Sequence, residues 1–194
     1  MAEHQHQVET NLAPGTIWEF VREMDHWAPL LTGYQKHEKQ SDTESVWTLK
    51  GDVGVLARTL RFRVLVTEWA GPERVTFALK GMNEPMTGEG SFRIESAGAS
   101  APAPAPQPEP ARGLAGLWER IVRFFFRRAR GPAVVRAEPT GPVTTRMIFR
   151  LRVDPGGPMA PMIDALMKPA MAAAAEDLAQ RIVARLEADA AKAS

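Results

Sequence analysis

Four histidines carry most of the acid–base and metal-binding chemistry that this sequence offers, because it contains no cysteine. His4 and His6 form an H-x-H pair, but no third ligand lies nearby, and zinc sites need at least three protein ligands. We therefore interpret the pair as part of a frayed polar terminus. His26 and His37 are isolated, and Asp25 is expected to cap a short helix rather than to form a catalytic dyad with His26. The sequence thus predicts no catalytic residues and no metal site.

Other signatures that would define an enzyme or a nucleic-acid-binding protein are absent from the sequence. There is no Ser-His-Asp spacing, no phosphate-binding loop and no dinucleotide-binding glycine pattern, so we expect no cofactor. The net charge of +1 argues against a nucleic-acid partner, which a broadly basic domain would suit better. The polar start and the lack of about 20 consecutive apolar residues predict a cytoplasmic protein without a secretory signal or a membrane span.

Alternating apolar and polar residues predict a series of antiparallel strands with one buried face. In residues 56–69, for example, Leu60 and Phe62 alternate with Arg61 and Arg63. The predicted strands are residues 34–40, 45–53, 56–69, 74–82, 86–95 and 143–153, with a weaker first strand at 8–12.

Two further features of this region concern helices and glycines. Pro14 suits the first turn of a helix, and a second short helix is expected over residues 26–31. Gly88 and Gly90 lie within a predicted strand, where glycine often marks a bulge or a bend. The predicted order is therefore one strand, two short helices and six further strands.

The C-terminal part of the chain predicts a long helix. Residues 169–190 form an amphipathic pattern about six turns long, with Ile182 and Leu186 on the apolar face. A Met-rich apolar segment at residues 159–167 precedes this pattern but is out of phase with it. Pro169 stands at the change, so we expect the helix to kink or to restart there.

Three stretches of the sequence resemble one protein family. These stretches are APGTIWEFVREMDHWAPLLTGYQ, LKGDVGVLARTLRFRVLVTEWAGPERVTFALKG and GEGSFRI, and they are similar to the CoxG-like family of carbon monoxide dehydrogenase accessory proteins, within the START-like helix-grip (SRPBCC) superfamily. The resemblance covers residues 8–95 well and residues 143–186 more loosely. It implies an α+β helix-grip fold, in which a curved antiparallel sheet of about seven strands surrounds a long C-terminal helix and two short helices follow strand 1.

The resemblance also implies an apolar cavity under the C-terminal helix that holds a hydrophobic small molecule. A bent sheet beneath an Ala-rich helix favours such a space, although any single apolar strand residue is more simply explained as ordinary core. Thr145, Asn83 and Tyr34 are candidate polar anchors. The candidate ligand-binding residues are Trp47, Leu49, Phe62, Val64, Phe77, Phe92, Met147, Phe149, Leu151, Met162, Leu166 and Met167.

Residues 97–141 differ in composition from the rest and are interpreted as an insertion in a domain formed by residues 1–96 and 142–194. The insertion begins with an Ala/Pro linker at residues 99–111 and continues with a basic amphipathic helix at residues 112–130. This helix could contact a membrane, a partner protein or its own domain. The candidate membrane or partner contacts are Trp118, Arg120, Arg123, Phe125 and Arg127.

These observations favour a binding or carrier protein for a quinone-like or lipid-like molecule rather than an enzyme. The family resemblance implies a role accessory to a molybdenum hydroxylase of the carbon monoxide dehydrogenase type, in maturation or in membrane recruitment, and a peripheral position on the inner face of the membrane. One alternative is a cyclase or dehydratase on the same fold, which would need an acid–base pair facing the cavity. Another is an assembly factor that binds protein and has no ligand.

Overall fold

The computed structural model of the protein describes residues 1–53, 56–96, 145–158 and 160–193. Within these residues one antiparallel sheet is covered by helices on one face. The strands are β1 (Ala2–Thr10), β2 (Tyr34–Lys39), β3 (Glu44–Val53), β4 (Leu56–Ala70), β5 (Arg74–Gly81), β6 (Met86–Ser96) and β7 (Thr145–Pro155). The helices are α1 (Pro14–Val21), α2 (Met24–Trp27) and α3 (Ala160–Ala193), and a single 3-10 turn, Ala28–Leu30, follows α2.

The seven strands pair in the order β1-β7-β6-β5-β4-β3-β2, and every neighbouring pair is antiparallel. Consecutive strands from β2 to β7 are therefore neighbours, whereas β1 closes the far edge beside β7. A curved seven-stranded sheet, two short helices after strand 1 and one long C-terminal helix confirm the predicted helix-grip fold. The predicted insertion at residues 97–141 lies outside the described residues.

The predicted strand positions agree with the structure, but the predicted bulge does not. Strands β2 to β6 begin and end within one residue of their predicted bounds. The register shifts lie in β2, between Tyr34 and Lys36, and in β4, between Val66 and Glu68. The expectation of a bulge at Gly88 and Gly90 is therefore wrong: β6 keeps a regular register with both of its neighbours.

Gly90 has a packing role instead. A Cβ atom at this position would lie 2.3 Å from the ring of Phe77 on β5, which is the residue that pairs with it across the sheet. Only a residue without a side chain leaves room for that ring on the inner face.

The helical region differs from the prediction in two places. The second short helix is replaced by α2 and the 3-10 turn, and Asp25 lies inside α2 rather than capping it, since Glu23 occupies the cap position. In addition, α3 is one helix of 34 residues that contains Pro169, so the helix does not end and restart there.

The hydrophobic core lies between the C-terminal half of α3, the strands β6 and β7, and α1. Ile182 and Leu186 of α3 are 1% and 5% exposed and pack with Met147 of β7, Phe92 of β6 and Ile17 of α1. Burial of each such side chain stabilises the fold by about 1.5–3 kcal/mol. This contact fixes the position of the helix on the sheet.

The N-terminal residues form strand β1, and the interpretation of His4 and His6 as a frayed terminus is wrong. The two residues pair with Leu151 and Phe149 of β7, and alternate residues of β1 are buried or half-buried. Their rings stack with centroids 6.4 Å apart. Burial lowers the pKa of the His4 imidazole below its ordinary value, and its Nε2 atom is buried without a hydrogen-bond partner among the described residues.

The lowered pKa of His4 predicts a pH-dependent stability. As the pH falls below about 6.5, the unfolded chain binds a proton at this residue before the folded protein does, so folding stability decreases. The substitution His4→Leu should reduce the loss of unfolding free energy between about pH 7.5 and pH 5.5, as measured by urea denaturation.

The matched control is Gln5→Leu, because Gln5 is the exposed neighbour of His4 on the same strand and does not titrate. This variant should keep the pH dependence of the wild type. If His4→Leu keeps it as well, the burial of the His4 imidazole does not contribute to the pH dependence.

Candidate functional site

A cavity of about 610 Å³ opens between the first turns of α3 and the concave face of the sheet. Its volume lies within the range of about 300–1,000 Å³ that is usual for small-molecule sites. One wall is formed by Met162, Ile163, Leu166, Met167 and Ala170 of α3. The other walls contain Thr32, Gly33, Gln35, Lys50, Gly51, Arg58, Leu60, Glu84, Pro85, Met86, Pro155, Gly156, Gly157 and Pro158.

The cavity exists because α3 packs tightly on the sheet over only part of its length. The helix contacts mainly β1 and β7, and its C-terminal half forms the core around Ile182. Toward the N-terminal end, Met162 is 43% exposed, compared with 1% for Ile182. The apolar side chains of the first turns therefore face space rather than a filled interior.

Polar contacts hold the helix in this position. The hydroxyl of Thr32 donates a hydrogen bond of 2.6 Å to Asp177 Oδ2, and Arg181 Nε lies 2.9 Å from the same oxygen. Asp177 was predicted on the solvent face of the helix, yet its side chain is only 12% exposed. At the other end of α3, the N-terminal ammonium group of Met1 lies 2.6 Å from Asp164 Oδ1. The helix is thus tied to the loop before β2 and to β1.

Close backbone contacts shape the rim of the cavity. The N–H of Gly156 donates a 2.5 Å hydrogen bond to the carbonyl of Pro85, which joins the β7–α3 turn to the β5–β6 loop. On the opposite side, the N–H of Lys50 donates to the carbonyl of Gly33 at 2.7 Å. Gly33 has φ +82°, and a Cβ atom there would lie 2.3 Å from the Lys50 carbonyl oxygen, so this junction requires glycine.

The charged residues of the site lie on this rim. Arg58 on β4 and Glu84 in the β5–β6 loop form an ion pair with an Nη1–Oε1 distance of 2.9 Å. Lys50 borders the same part of the cavity, next to Gly51, which is the cross-strand partner of Arg58. The interior wall, in contrast, is formed by apolar side chains such as Leu60, Met86 and Leu166.

The structure brings three of the candidate ligand-binding residues together at the cavity, namely Met162, Leu166 and Met167. Phe92 and Met147 belong to the hydrophobic core, where the ring of Phe92 lies 4.8 Å from that of Phe149. Trp47 is 4% exposed and contacts other aromatic rings. The remaining candidates are half-buried strand residues outside the cavity lining: Leu49, Phe62, Val64, Phe77, Phe149 and Leu151.

Sequence reasoning did not select several residues that line the cavity, in particular Arg58, Pro85, Met86 and Ala170. Pro85 and Met86 follow a turn, and nothing in the strand pattern indicates that this turn reaches across to the helix. Leu60 was predicted to point inward and does line the cavity, so the alternation in β4 contained this signal.

Two of the three candidate polar anchors bind the protein itself. Thr145 is buried and donates a hydrogen bond to the carbonyl of Leu12 at 2.5 Å. The side chain of Asn83 accepts from the N–H of Arg61 and donates to the carbonyl of Thr59, each at 2.7 Å. Both side chains therefore stabilise the fold locally.

Tyr34, the third candidate anchor, belongs to a hydrogen-bonded chain of three side chains. The Tyr34 hydroxyl lies 2.9 Å from Nδ1 of His37, and Nε2 of His37 lies 3.0 Å from Oδ1 of Asp25. The imidazole is 5% exposed and stacks on Trp47 with ring centroids 5.1 Å apart. Since the carboxylate accepts the Nε2 proton, Nδ1 of the neutral ring accepts the hydrogen bond from the Tyr34 hydroxyl.

This chain corrects the view that His37 is isolated. His26 also has a neighbour, since its ring stacks on Phe20 with centroids 5.4 Å apart. A hydrogen bond from Lys39 is the main cause that lowers the pKa of Asp25, and His37 adds a smaller effect in the same direction. Asp25 is therefore the ionised end of the chain. The sequence did not indicate this arrangement, because β2 and α2 contribute its members from opposite sides of a loop.

Two searches of the described part of the chain found nothing further. None of its helices is long and apolar enough to cross a membrane. No group of three or more His, Asp or Glu side chains is placed there to hold a metal ion. The predicted contact residues of the basic helix, Trp118, Arg120, Arg123, Phe125 and Arg127, lie outside this part.

Comparisons with solved structures identify the fold. A conserved protein from Geobacillus kaustophilus superimposes with a TM-score of 0.63 at 10% identity, covering 95% of both chains. A START superfamily protein from Mycobacterium smegmatis gives 0.53 at 15% identity, covering 96% of this chain and 98% of its own. The Zhui aromatase/cyclase from Streptomyces sp. R1128 gives 0.51 at 11% identity, covering 95% and 93%.

Sequence comparisons give a complementary result. No curated protein sequence matches the chain. A protein-family model with the description "-like:-like" matches residues 1–100, which is just over half of the 194 residues. The chain therefore belongs to the family that this model describes, and its fold is the START-like helix-grip fold.

Proposed function

We propose that this protein binds an apolar small molecule in the cavity between α3 and the sheet and acts as its carrier. The observation that carries the proposal is the cavity itself, which has a volume of about 610 Å³ and walls of Leu, Ile, Met, Pro and Ala side chains. Each 100 Å² of apolar ligand surface removed from water would contribute about 2.5 kcal/mol to binding. An assembly factor without a ligand would have no need for such a space.

The proposal extends to a quinone-like or lipid-like ligand, because the cavity combines an apolar interior with few polar groups. Flexible methionine side chains on the α3 wall suit a ligand of irregular shape. A role accessory to a molybdenum hydroxylase of the carbon monoxide dehydrogenase type is supported by the sequence resemblance over residues 8–95.

Narrowing the cavity should weaken binding of a neutral apolar probe such as Nile red. Leu60 lines the cavity, so the substitution Leu60→Trp should raise the dissociation constant about tenfold or more, equivalent to about 1.4 kcal/mol. Fluorescence titration measures the constant.

The matched control is Leu65→Trp on the same strand, because Leu65 is 43% exposed on the outer face. This variant should bind the probe within about twofold of the wild type. Equal weakening by both variants, or by neither, would contradict binding in this cavity.

The membrane part of the proposal concerns the basic helix at residues 112–130. Trp118 and Phe125 would insert at the interface while Arg120, Arg123 and Arg127 contact anionic headgroups, each adding about 1 kcal/mol. A variant lacking residues 112–130 should lose co-sedimentation with vesicles that contain phosphatidylserine. Neutral vesicles serve as the control, and equal sedimentation with and without the segment would end this part of the proposal.

A second candidate function, acid–base catalysis of the cyclase or dehydratase type, is favoured by the Asp25–His37–Tyr34 chain. Tyr34 lies between Gly33 and Gln35, which both border the cavity. Its hydroxyl would donate a proton to a ligand oxygen and recover one through His37, whose charge Asp25 stabilises. The order of groups resembles that of hydrolase triads, with a phenol in the terminal position.

Hydrogen–deuterium exchange of a long-chain methyl ketone in D₂O tests this second candidate. A functional chain should accelerate exchange at the carbons next to the carbonyl, and Tyr34→Phe should abolish the acceleration while keeping the ring contact with Trp47. Thr48→Ser, on the neighbouring strand, is the control. An exchange rate equal to that of buffer with the wild type would contradict the catalytic candidate and leave the carrier proposal intact.

A further inference from the structure

The rim and the interior of the cavity differ in chemistry. The interior presents apolar side chains from both walls, including Leu60, Met86, Ile163 and Leu166. The charged lining residues are Lys50, Arg58 and Glu84, which come from the end of the β3–β4 hairpin and the facing β5–β6 loop. A ligand that fits both regions has an apolar body and one polar end.

Most polar groups of the lining already have partners within the protein. The hydroxyl proton of Thr32 is donated to Asp177, and the amide of Gln35 donates to the carbonyl of Tyr34 at 3.1 Å. The carboxylate of Glu84 accepts from Arg58. The hydrogen-bonding capacity left for a ligand therefore lies mainly in the two cationic side chains.

Arg58 has donors to spare. Its contact with Glu84 uses Nη1 alone, and among the described side chains no second carboxylate lies within ion-pair distance of its guanidinium. The side chain is 53% exposed, and its cross-strand partner Gly51 has no side chain to cover it. An arginine presents five N–H donors in a planar fork that matches a carboxylate.

Lys50 adds a second positive charge beside Arg58. It precedes Gly51 in β3, and among the described residues it has no carboxylate partner. Two cations and one carboxylate leave this rim with a net positive charge. Glu84 already shows that a carboxylate can be accommodated against the guanidinium of Arg58.

We propose that the ligand class is a single-chain amphiphile with a carboxylate headgroup, such as a long-chain fatty acid. This inference rests on the proposed carrier function and specifies its ligand. The carboxylate binds at the guanidinium of Arg58 and the ammonium group of Lys50, and the alkyl chain lies along the apolar wall formed by Leu60, Met86 and Leu166. The charge pair orients the ligand with its polar end toward the opening.

The test compares dodecanoate with dodecanol, which have the same chain and differ in headgroup charge. Displacement of Nile red from the full-length protein, below the micellar concentration of either ligand, gives both dissociation constants. The wild type should bind dodecanoate about tenfold more tightly than dodecanol, and added salt should reduce this preference.

Variants with opposite expected signs separate headgroup binding from a structural effect. Arg58→Gln should weaken dodecanoate binding about tenfold and change dodecanol binding less than about twofold. Glu84→Gln breaks the same ion pair but removes the competing carboxylate, so it should strengthen dodecanoate binding. Arg61→Gln, an exposed residue of the same strand, is the control and should change neither constant.

The outcomes distinguish this inference from the carrier proposal. Equal affinity of the wild type for the two ligands, or weaker dodecanoate binding by Glu84→Gln, would overturn the carboxylate assignment while the cavity still binds apolar molecules. If Nile red, dodecanoate and dodecanol all fail to bind the wild type, the carrier proposal itself is wrong.

Discussion

The packing of α3 against the sheet by its C-terminal half is the contact on which the rest of the structure depends. Ile182 and Leu186 are buried against Met147 and Phe92, and this contact alone accounts for much of the shared core. Because the helix is one continuous rod, fixing one half determines where the other half lies. The first turns consequently stand above the sheet without filling the space beneath them.

The site follows from this arrangement and from the loops that meet the free half of the helix. The hydrogen bond between Gly156 and Pro85 brings the β5–β6 loop against the start of α3, and Gly33 allows the loop before β2 to approach Lys50. These backbone contacts form a polar rim around an apolar interior. A protein with such a space can bind a ligand without any catalytic group, which is why the carrier function is the simpler explanation of the geometry.

Much of the fold could be predicted from the sequence because strand alternation and helix amphipathicity are local signals. The inward direction of Leu60 and the burial of Ile182 both follow from residue spacing. The continuity of α3 through Pro169 was not predictable in this way, because packing along the whole helix can outweigh the local preference of proline. Tertiary contacts likewise decided that His4 lies in an ordered strand.

The site was harder to predict than the fold, since its residues come together only after folding. Arg58 and Glu84 are separated by most of two strands, and neither belongs to a recognisable motif. The chain of Asp25, His37 and Tyr34 depends on how α2 rests against β2, which no spacing rule describes. Sequence periodicity located the apolar wall contributed by Met162, Leu166 and Met167, but not the rim that faces it.

Native mass spectrometry of the freshly purified full-length protein tests the central claim most directly. The account predicts a non-covalent adduct of one small molecule per chain, which is released by mild activation and recovered by organic extraction. A protein that is observed only as the bare chain, and that takes up no apolar molecule when these are supplied, would contradict the existence of a functional cavity between helix and sheet.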